Sequence, residues 1–202
     1  MINPEQLMYL ESEEFIEGRD CLRLAVPWVV AESVYKLDEI LEPDDVVLEF
    51  GAGGSTLFFA ARCKKVYIIE TTTIEDKKSP DDRVWSEQVN DLIIKRQIYN
   101  TMILAIKNED RIVEFVKEFD TSQITVVSVD TQGGYNRGRM LDAFLDKGVS
   151  PNLRIIILDN YNHPELFPDL DSYLQKLQGW AVMDFKHPRW AGDGTRIIVK
   201  IK

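Results

Sequence analysis

The stretch Val46–Ala60 constrains the fold most, because a continuous apolar run passes there into a glycine-rich turn and then into a helix-compatible apolar segment. A buried strand, a glycine turn and a helix N-terminus in that order form a device that binds anions and nucleotides. Ser55 or Thr56 can cap the helix that follows. Three glycines let the backbone approach a ligand closely: Gly51, Gly53 and Gly54. The stretch predicts a ligand site and leaves the ligand open.

Length and composition limit the kinds of protein that this chain can be. With 202 residues, of which 45% are hydrophobic and 29% charged, we predict a single domain over residues 1–202, with an N-terminal helical cap over 1–42 and an α/β core over 43–202. The net charge of −10 disfavours a nucleic-acid partner, which normally requires a basic face. The oligomeric state is left open.

The compartment follows from what the sequence lacks. It shows neither a signal peptide nor an apolar run of membrane length, and Cys21 and Cys63 have no metal or redox spacing. We therefore expect a reduced cytoplasmic environment, no membrane partner, and two unpaired cysteines that pack as small hydrophobes.

Strands and helices alternate along the chain. Helices are predicted from Pro4 with a cap at Asn3, from Pro27 to before Pro43, after the glycine turn to Arg62, and at 83–95, 109–119, 136–147 and 164–179. Strands are predicted at 46–50, 65–70, 124–130 and 154–159, and a hairpin pairs 180–186 with 195–201. Residues 99–106 fit a strand or an extension of the preceding helix, and the strand is favoured because Asn108 then caps a separate helix. This alternation predicts an α/β fold, with an open and mostly parallel sheet covered by helices on both faces.

Two known glycine motifs fail to match the turn. A dinucleotide-binding motif counted from Gly51 needs a third small residue at the position held by Thr56. A phosphate-binding P-loop is excluded because no Gly-Lys-Ser/Thr follows. Glu49 would repel a pyrophosphate, and it suits a ligand that has an amino group and no phosphate.

Leu48–Thr56 resembles the first motif of the class I S-adenosylmethionine-dependent methyltransferases, and Ile69-Glu70 is similar to their second. The resemblance covers about residues 27–202, and it implies a three-layer Rossmann-like fold with a seven-stranded sheet that ends in the hairpin. It also implies that Glu49 faces the methionine end of the cofactor and that Glu70 binds the ribose hydroxyls. The cofactor residues carried over are Glu49, Gly51, Ala52, Gly53, Gly54, Ser55, Thr56, Glu70, Thr71 and Asp130.

Acids end two later strands that the implied sheet order makes neighbours. Asp130 and Asp159, with Asn160, are similar to the Mg²⁺ site of catechol-type O-methyltransferases, in which the ion holds two substrate oxygens. Those enzymes place a lysine shortly after the first acid, whereas Thr131-Gln132-Gly133-Gly134 follows here. Alternatively the acids cap turns, or Asp130 contacts the cofactor or an amine substrate.

The candidate catalytic residues are Asp130 and His163, the latter because a histidine with a near-neutral pKa can accept a proton from a nucleophile. Weaker candidates for the substrate pocket are Tyr135, Arg137, Tyr161, His187, Arg189 and Trp190. We predict methyl transfer from S-adenosylmethionine to an oxygen or nitrogen of a small molecule. The alternatives are a non-catalytic module that binds this cofactor or a nucleotide, and an NAD-type oxidoreductase, which Glu49 and Thr56 disfavour.

Overall fold

A seven-stranded sheet forms the centre of the protein, seen in a computed structural model that describes residues 1–71, 85–106, 108–131, 137–187, 189 and 193–201. Its strand order is β3-β2-β1-β4-β5-β7-β6. The strands are β1 Val46–Phe50, β2 Lys65–Thr71, β3 Thr101–Ile106, β4 Val126–Val129, β5 Ile155–Asp159, β6 Trp180–Lys186 and β7 Gly194–Lys200. Strands β1 to β5 pair in parallel, and β7 runs antiparallel to both β5 and β6. The predicted sheet and its terminal hairpin are confirmed.

Helices cover both faces of this sheet, as predicted. They are α1 Pro4–Leu10, α2 Glu13–Ile16, α3 Cys21–Leu24, α4 Ala31–Ile40, α5 Gly54–Ala60, α6 Trp85–Lys95, α7 Glu109–Glu118, α8 Arg137–Leu145 and α9 Leu170–Lys176. Because side chains alternate along a strand, Leu48 and Phe50 of β1 pack in the hydrophobic cluster that contains α7, α8 and α9, while Val47 packs with α1, α4 and α5. Glu49 therefore points toward α5.

The N-terminal helices differ in part from the prediction. Asn3 caps α1 through a capping box with Gln6, as expected. The next predicted helix was placed wrongly, because α4 begins at Ala31 and not at Pro27. Val30 is extended, and its amide donates to the hydroxyl of Thr195 at 3.1 Å, which holds the preceding segment against β7.

Helix α9 is also shorter than predicted, because residues 164–169 form turns before it begins at Leu170. Pro168 accounts for this difference, since a proline disfavours helical geometry at the residue before it. The ambiguous stretch 99–106 contains strand β3, and Asn108 caps α7 as expected.

Both cysteines are buried and free, as the sequence predicted. Burial raises the pKa of the Cys21 thiol to about 11 and that of Cys63 to about 12, so both are unreactive near neutral pH. Among the helices of the described residues, none has the length and apolarity needed to cross a membrane.

Candidate functional site

The glycine turn lies at the carboxyl end of β1, where it approaches the end of β4 closely. Gly51 has φ +94°, and its amide donates to the carbonyl of Ile69 at 2.9 Å. A Cβ placed on Gly51 would lie 2.0 Å from the carbonyl oxygen of Asp130. Only glycine fits this position, on grounds of both backbone conformation and space. The close approach brings the predicted cofactor loop and Asp130 together.

A chain of hydrogen bonds connects this turn to Glu49. The amide of Gly53 donates to the Thr56 hydroxyl at 3.0 Å, and that hydroxyl donates to Glu49 Oε2 at 2.7 Å. Thr56 thus caps the N-terminus of α5 and at the same time orients the carboxyl group. A third glycine, as in the dinucleotide motif, would lack this link. The departure from that motif has a structural role.

The other oxygen of Glu49 lacks a partner. Glu49 is 1% exposed, and its Oε1 is buried and makes no hydrogen bond. Burial, with smaller contributions from the charges of Asp130 and Glu70, raises the pKa of Glu49 to about 8, although the Ser55 and Thr56 hydroxyls oppose the shift. A buried acceptor without a donor is costly. The site therefore contains a carboxyl group that a cationic ligand would complete.

Glu70 lies at the end of β2, beside the same turn. It is 6% exposed, and its Oε2 accepts a hydrogen bond from the amide of Ala52. The predicted ribose-binding acid therefore also fixes the glycine turn. The backbone of Thr71 ends β2 at this edge. Ser55 lies in the first turn of α5, between Gly54 and Thr56.

The segment around α3 closes the other side of the turn. A Cβ on Gly54 would lie 2.1 Å from the carbonyl oxygen of Val26 and 2.6 Å from that of Cys21. The backbone of residues 21–26 thus packs directly on the N-terminus of α5. The sequence predicted a helical cap over residues 1–42 but not this contact.

Arg137, at the start of α8, lies among the three residues that were predicted to bind a metal. The side chain is buried, and its Nη2 lies 3.0 Å from Asp130 Oδ1. Its Nη1 lies 3.4 Å from Asp159 Oδ2 and donates to Asn160 Oδ1 at 3.2 Å. It also donates to the backbone carbonyls of Thr131 and Asp159. The strand-end acids do converge, and the guanidinium group of Arg137 lies between them.

This arrangement gives no support to the Mg²⁺ prediction. Asp130, Asp159 and Asn160 already bind a cation, and a divalent ion in their midst would meet the Arg137 charge at contact distance. Among the described residues there is no group of three or more His, Cys, Asp and Glu side chains that could hold a metal. The three predicted ligands are neighbours, but they do not fit the ion.

Asp159 connects this edge of the sheet to the N-terminal region. Its Oδ1 accepts from the Thr195 hydroxyl at 3.2 Å, and that hydroxyl in turn accepts from the amide of Val30. Burial and the nearby charge of Asp130 raise the pKa of Asp159 to about 7, while Arg137 and Thr195 oppose the shift. Asp159 is 8% exposed, so its side chain is part of the buried wall of the site.

His163 is held by carboxylates at both ring nitrogens. Nε2 lies 2.7 Å from Asp193 Oδ1, and Nδ1 lies 2.9 Å from Glu165 Oε1. These two hydrogen bonds, first that to Glu165, raise the pKa of His163. An imidazolium that donates to two acids holds no free lone pair for a substrate proton. The geometry thus favours a structural cation over the predicted base.

The weaker candidates lie in several environments. The guanidinium of Arg196 stacks on Tyr161 at 4.3 Å from the ring centroid. Arg189 pairs with Glu13, and Arg189 also donates its amide to His187. Tyr135 and Trp190 lie outside the described residues. None of these contacts assigns a chemical role.

Three residues of this site carried no distinct signal in the sequence. Thr195 and Asp193 belong to the hairpin, and neither lies in a recognisable motif. Arg137 was a weak candidate for the substrate pocket, and its central position depends on a contact between α8 and two strand ends. The one available signal was that two strand-end acids have no lysine nearby, which leaves their negative charges without a local partner in the sequence.

Comparison with known proteins identifies the fold. No protein-family model and no curated sequence matches the chain. An rRNA methylase from Streptococcus thermophilus has a similar structure, with 16% sequence identity and a TM-score of 0.55, over 86% of this chain and 96% of that chain. A methyltransferase from Geobacter sulfurreducens is similar at 12% identity and a TM-score of 0.54, over 97% of this chain and 88% of that chain. The chain has the fold of the class I S-adenosylmethionine-dependent methyltransferases, as the motif resemblance implied.

Proposed function

We propose that this protein transfers a methyl group from S-adenosylmethionine to an oxygen or nitrogen atom of a small molecule. The observation that carries the proposal is the buried, unpartnered Oε1 of Glu49 beside the glycine turn. S-adenosylmethionine has an ammonium group, which can hydrogen-bond to this carboxyl group and would favour its ionised form. The similar structures of two methyltransferases support the same activity.

The cofactor residues are assigned by chemistry. As the family resemblance implies, Glu49 faces the ammonium group directly or through water, the backbone of 51–53 passes beneath the methionine end, and the Glu70 carboxylate accepts from the ribose hydroxyls. When bound, S-adenosylmethionine supplies a methyl group on a cationic sulfur. Gly51 allows the turn to lie directly against the end of β4.

Asp130 is the residue that we assign to the acceptor. Its side chain is 34% exposed, and its carbonyl lies against Gly51, so it borders the glycine turn. The pairing with Arg137 orients the carboxylate of Asp130, and this carboxylate can accept a hydrogen bond from a hydroxyl or an amine. Methyl transfer needs mainly alignment, and a fixed carboxylate provides it.

The acceptor is a small molecule in this proposal because the net charge of −10 disfavours a polyanion. One similar structure is an rRNA methylase, so RNA is the acceptor to test against. The guanidinium group of Arg137 takes the place that a divalent ion would need, so the transfer is proposed to require no Mg²⁺.

We expect the purified protein to transfer labelled methyl from S-adenosylmethionine to a low-molecular-weight metabolite extract, at the same rate with EDTA as with Mg²⁺. The rate should fall at least about tenfold in Asp130→Asn, which loses the charged acceptor of the hydrogen bond. Total RNA serves as the competing acceptor. Label in RNA alone would overturn the acceptor class, label in neither would support a non-catalytic binding module, and a rate that depends on Mg²⁺ would contradict the role given to Arg137.

A further inference from the structure

A second concave site lies at the carboxyl ends of α5 and α6, whereas the glycine turn lies at the amino end of α5. It has a volume of about 390 Å³, which is enough for a small metabolite. Residues 1–6 of the N-terminal region and residues 23–25 around the end of α3 form its remaining walls. Three arginines line it: Arg23, Arg62 and Arg96.

Arg62 is the innermost of these arginines. Its side chain is 9% exposed, and its Nε donates to Asp38 Oδ1 at 2.8 Å. Its Nη1 donates to the carbonyl of Phe58 at 3.1 Å, and the guanidinium stacks on the Phe58 ring. These contacts use Nε, Nη1 and one face of the guanidinium group. Nη2 is buried and makes no hydrogen bond. A buried guanidinium nitrogen without an acceptor is costly, and an anionic oxygen that reached Nη2 would remove that cost.

Arg96 supplies a charge that is not paired with a carboxylate of the described residues, whereas Arg62 is paired with Asp38. Arg96 donates to the backbone carbonyl of Arg23. Arg23 pairs with Glu5 at 3.3 Å and with Asp20 at 3.2 Å. Glu5 is the single carboxylate in the lining of the pocket, and it is exposed. The lining therefore holds more positive than negative side chains, in a protein whose net charge is −10.

We propose that this pocket binds a small molecule that carries a phosphate group. A guanidinium fork matches the oxygens of a phosphate in bidentate geometry, and several guanidinium groups around one pocket favour an anion with at least two charges. Such an anion would accept from Arg62 Nη2 and Arg96 and would compete with Glu5 for Arg23. The site is separate from the methyl-transfer site and does not depend on it.

The test is calorimetric titration with inorganic pyrophosphate, with citrate and chloride as comparison anions at constant ionic strength. We expect saturable binding of pyrophosphate that weakens at least about tenfold in Arg96→Gln, since one charge-assisted contact is lost. Arg111→Gln is the matched control, because it removes the same charge from an exposed position on α7 and should bind like the native protein.

Arg62→Met gives a second variant, in which binding should be lost while the unfolding transition shows whether the protein still folds. If citrate bound as tightly as pyrophosphate, the proposal of a phosphate-bearing ligand would be wrong, and the pocket would select polycarboxylates equally well. Absence of saturable binding, or an equal loss in Arg96→Gln and Arg111→Gln, would overturn the site. Affinity for S-adenosylhomocysteine should be unchanged in Arg96→Gln, so the outcome does not depend on the proposed methyl transfer.

Discussion

Replacement of Arg137 by methionine is expected to lower the free energy of unfolding by about 3 kcal/mol at pH 7, because it leaves the buried Asp159 and the partly exposed Asp130 without their cation. Arg137 Nη2 lies 3.0 Å from Asp130 Oδ1, and Nη1 donates to the carbonyl of Asp159 at 2.7 Å. Without the guanidinium, that carbonyl also loses a donor. Urea denaturation measures the difference.

The matched control for this variant is Arg139→Met, on the same helix. Arg139 is exposed and pairs with Glu109 and Asp110 at the surface, so its loss should cost less than about 1 kcal/mol. The cost of Arg137→Met should be smaller at pH 5 than at pH 8, because Asp159, with a pKa of about 7, is protonated at pH 5 and then needs no cation. Equal losses in the two variants would show that the acids are solvated and need no internal cation.

Gly51→Ala is expected to cost about 3 kcal/mol or more and to abolish cofactor binding. Two effects add: the left-handed φ of +94° is unfavourable for alanine by about 1–2 kcal/mol, and the new Cβ would lie 2.0 Å from the carbonyl oxygen of Asp130. That oxygen belongs to the backbone, so relief requires the turn to move away from the end of β4. Denaturation and binding of S-adenosylhomocysteine measure both consequences.

Gly148→Ala separates these two effects. Gly148 has φ +89°, and a Cβ there would meet no atom within 4 Å. Its replacement should therefore cost only the conformational part, about 1–2 kcal/mol. If Gly51→Ala were no worse than Gly148→Ala, the close approach between the turn and Asp130 would not be a structural requirement.

The sheet could be predicted from the sequence because its central strands are buried on both faces. A short, mostly apolar run between turn-forming residues predicts a buried strand, and residues 46–50 and 155–159 are two such runs. All five positions of β1 and of β5 are buried. The convergence of Asp130, Asp159 and Asn160 followed from the parallel arrangement, since the carboxyl ends of parallel strands meet at one edge.

The role of Arg137 could not be predicted in the same way. One arginine at the start of a helix is usually solvated, and only the packing of α8 against β4 brings it between two strand ends. The start of α4 was mistaken for the same reason, because the Thr195 hydroxyl that binds Val30 comes from a strand far along the chain. Contacts between residues distant in sequence leave no local pattern to recognise.

The role of Thr56 could be predicted from the sequence only in part. Its mismatch with the dinucleotide motif was visible in the sequence, and it directed the interpretation away from pyrophosphate. The reason for the mismatch is the hydrogen-bond chain from Gly53 through Thr56 to Glu49, which only the fold displays. A threonine hydroxyl can both accept and donate, so it can connect an amide to a carboxyl group where glycine cannot.

Calorimetric binding of S-adenosylhomocysteine at pH 6 and pH 8 tests most directly whether Glu49 awaits a cationic ligand. The pKa of Glu49 is about 8, so its carboxyl group is protonated at pH 6 and must release the proton when an ammonium group binds. We expect the native protein to bind more tightly at pH 8, by up to about tenfold for each pH unit, with proton release at pH 6. Glu49→Gln should bind at least about tenfold more weakly at pH 8 and lose this pH dependence. Affinity that is independent of pH in the native protein, or unchanged in Glu49→Gln, would contradict the proposed cofactor site.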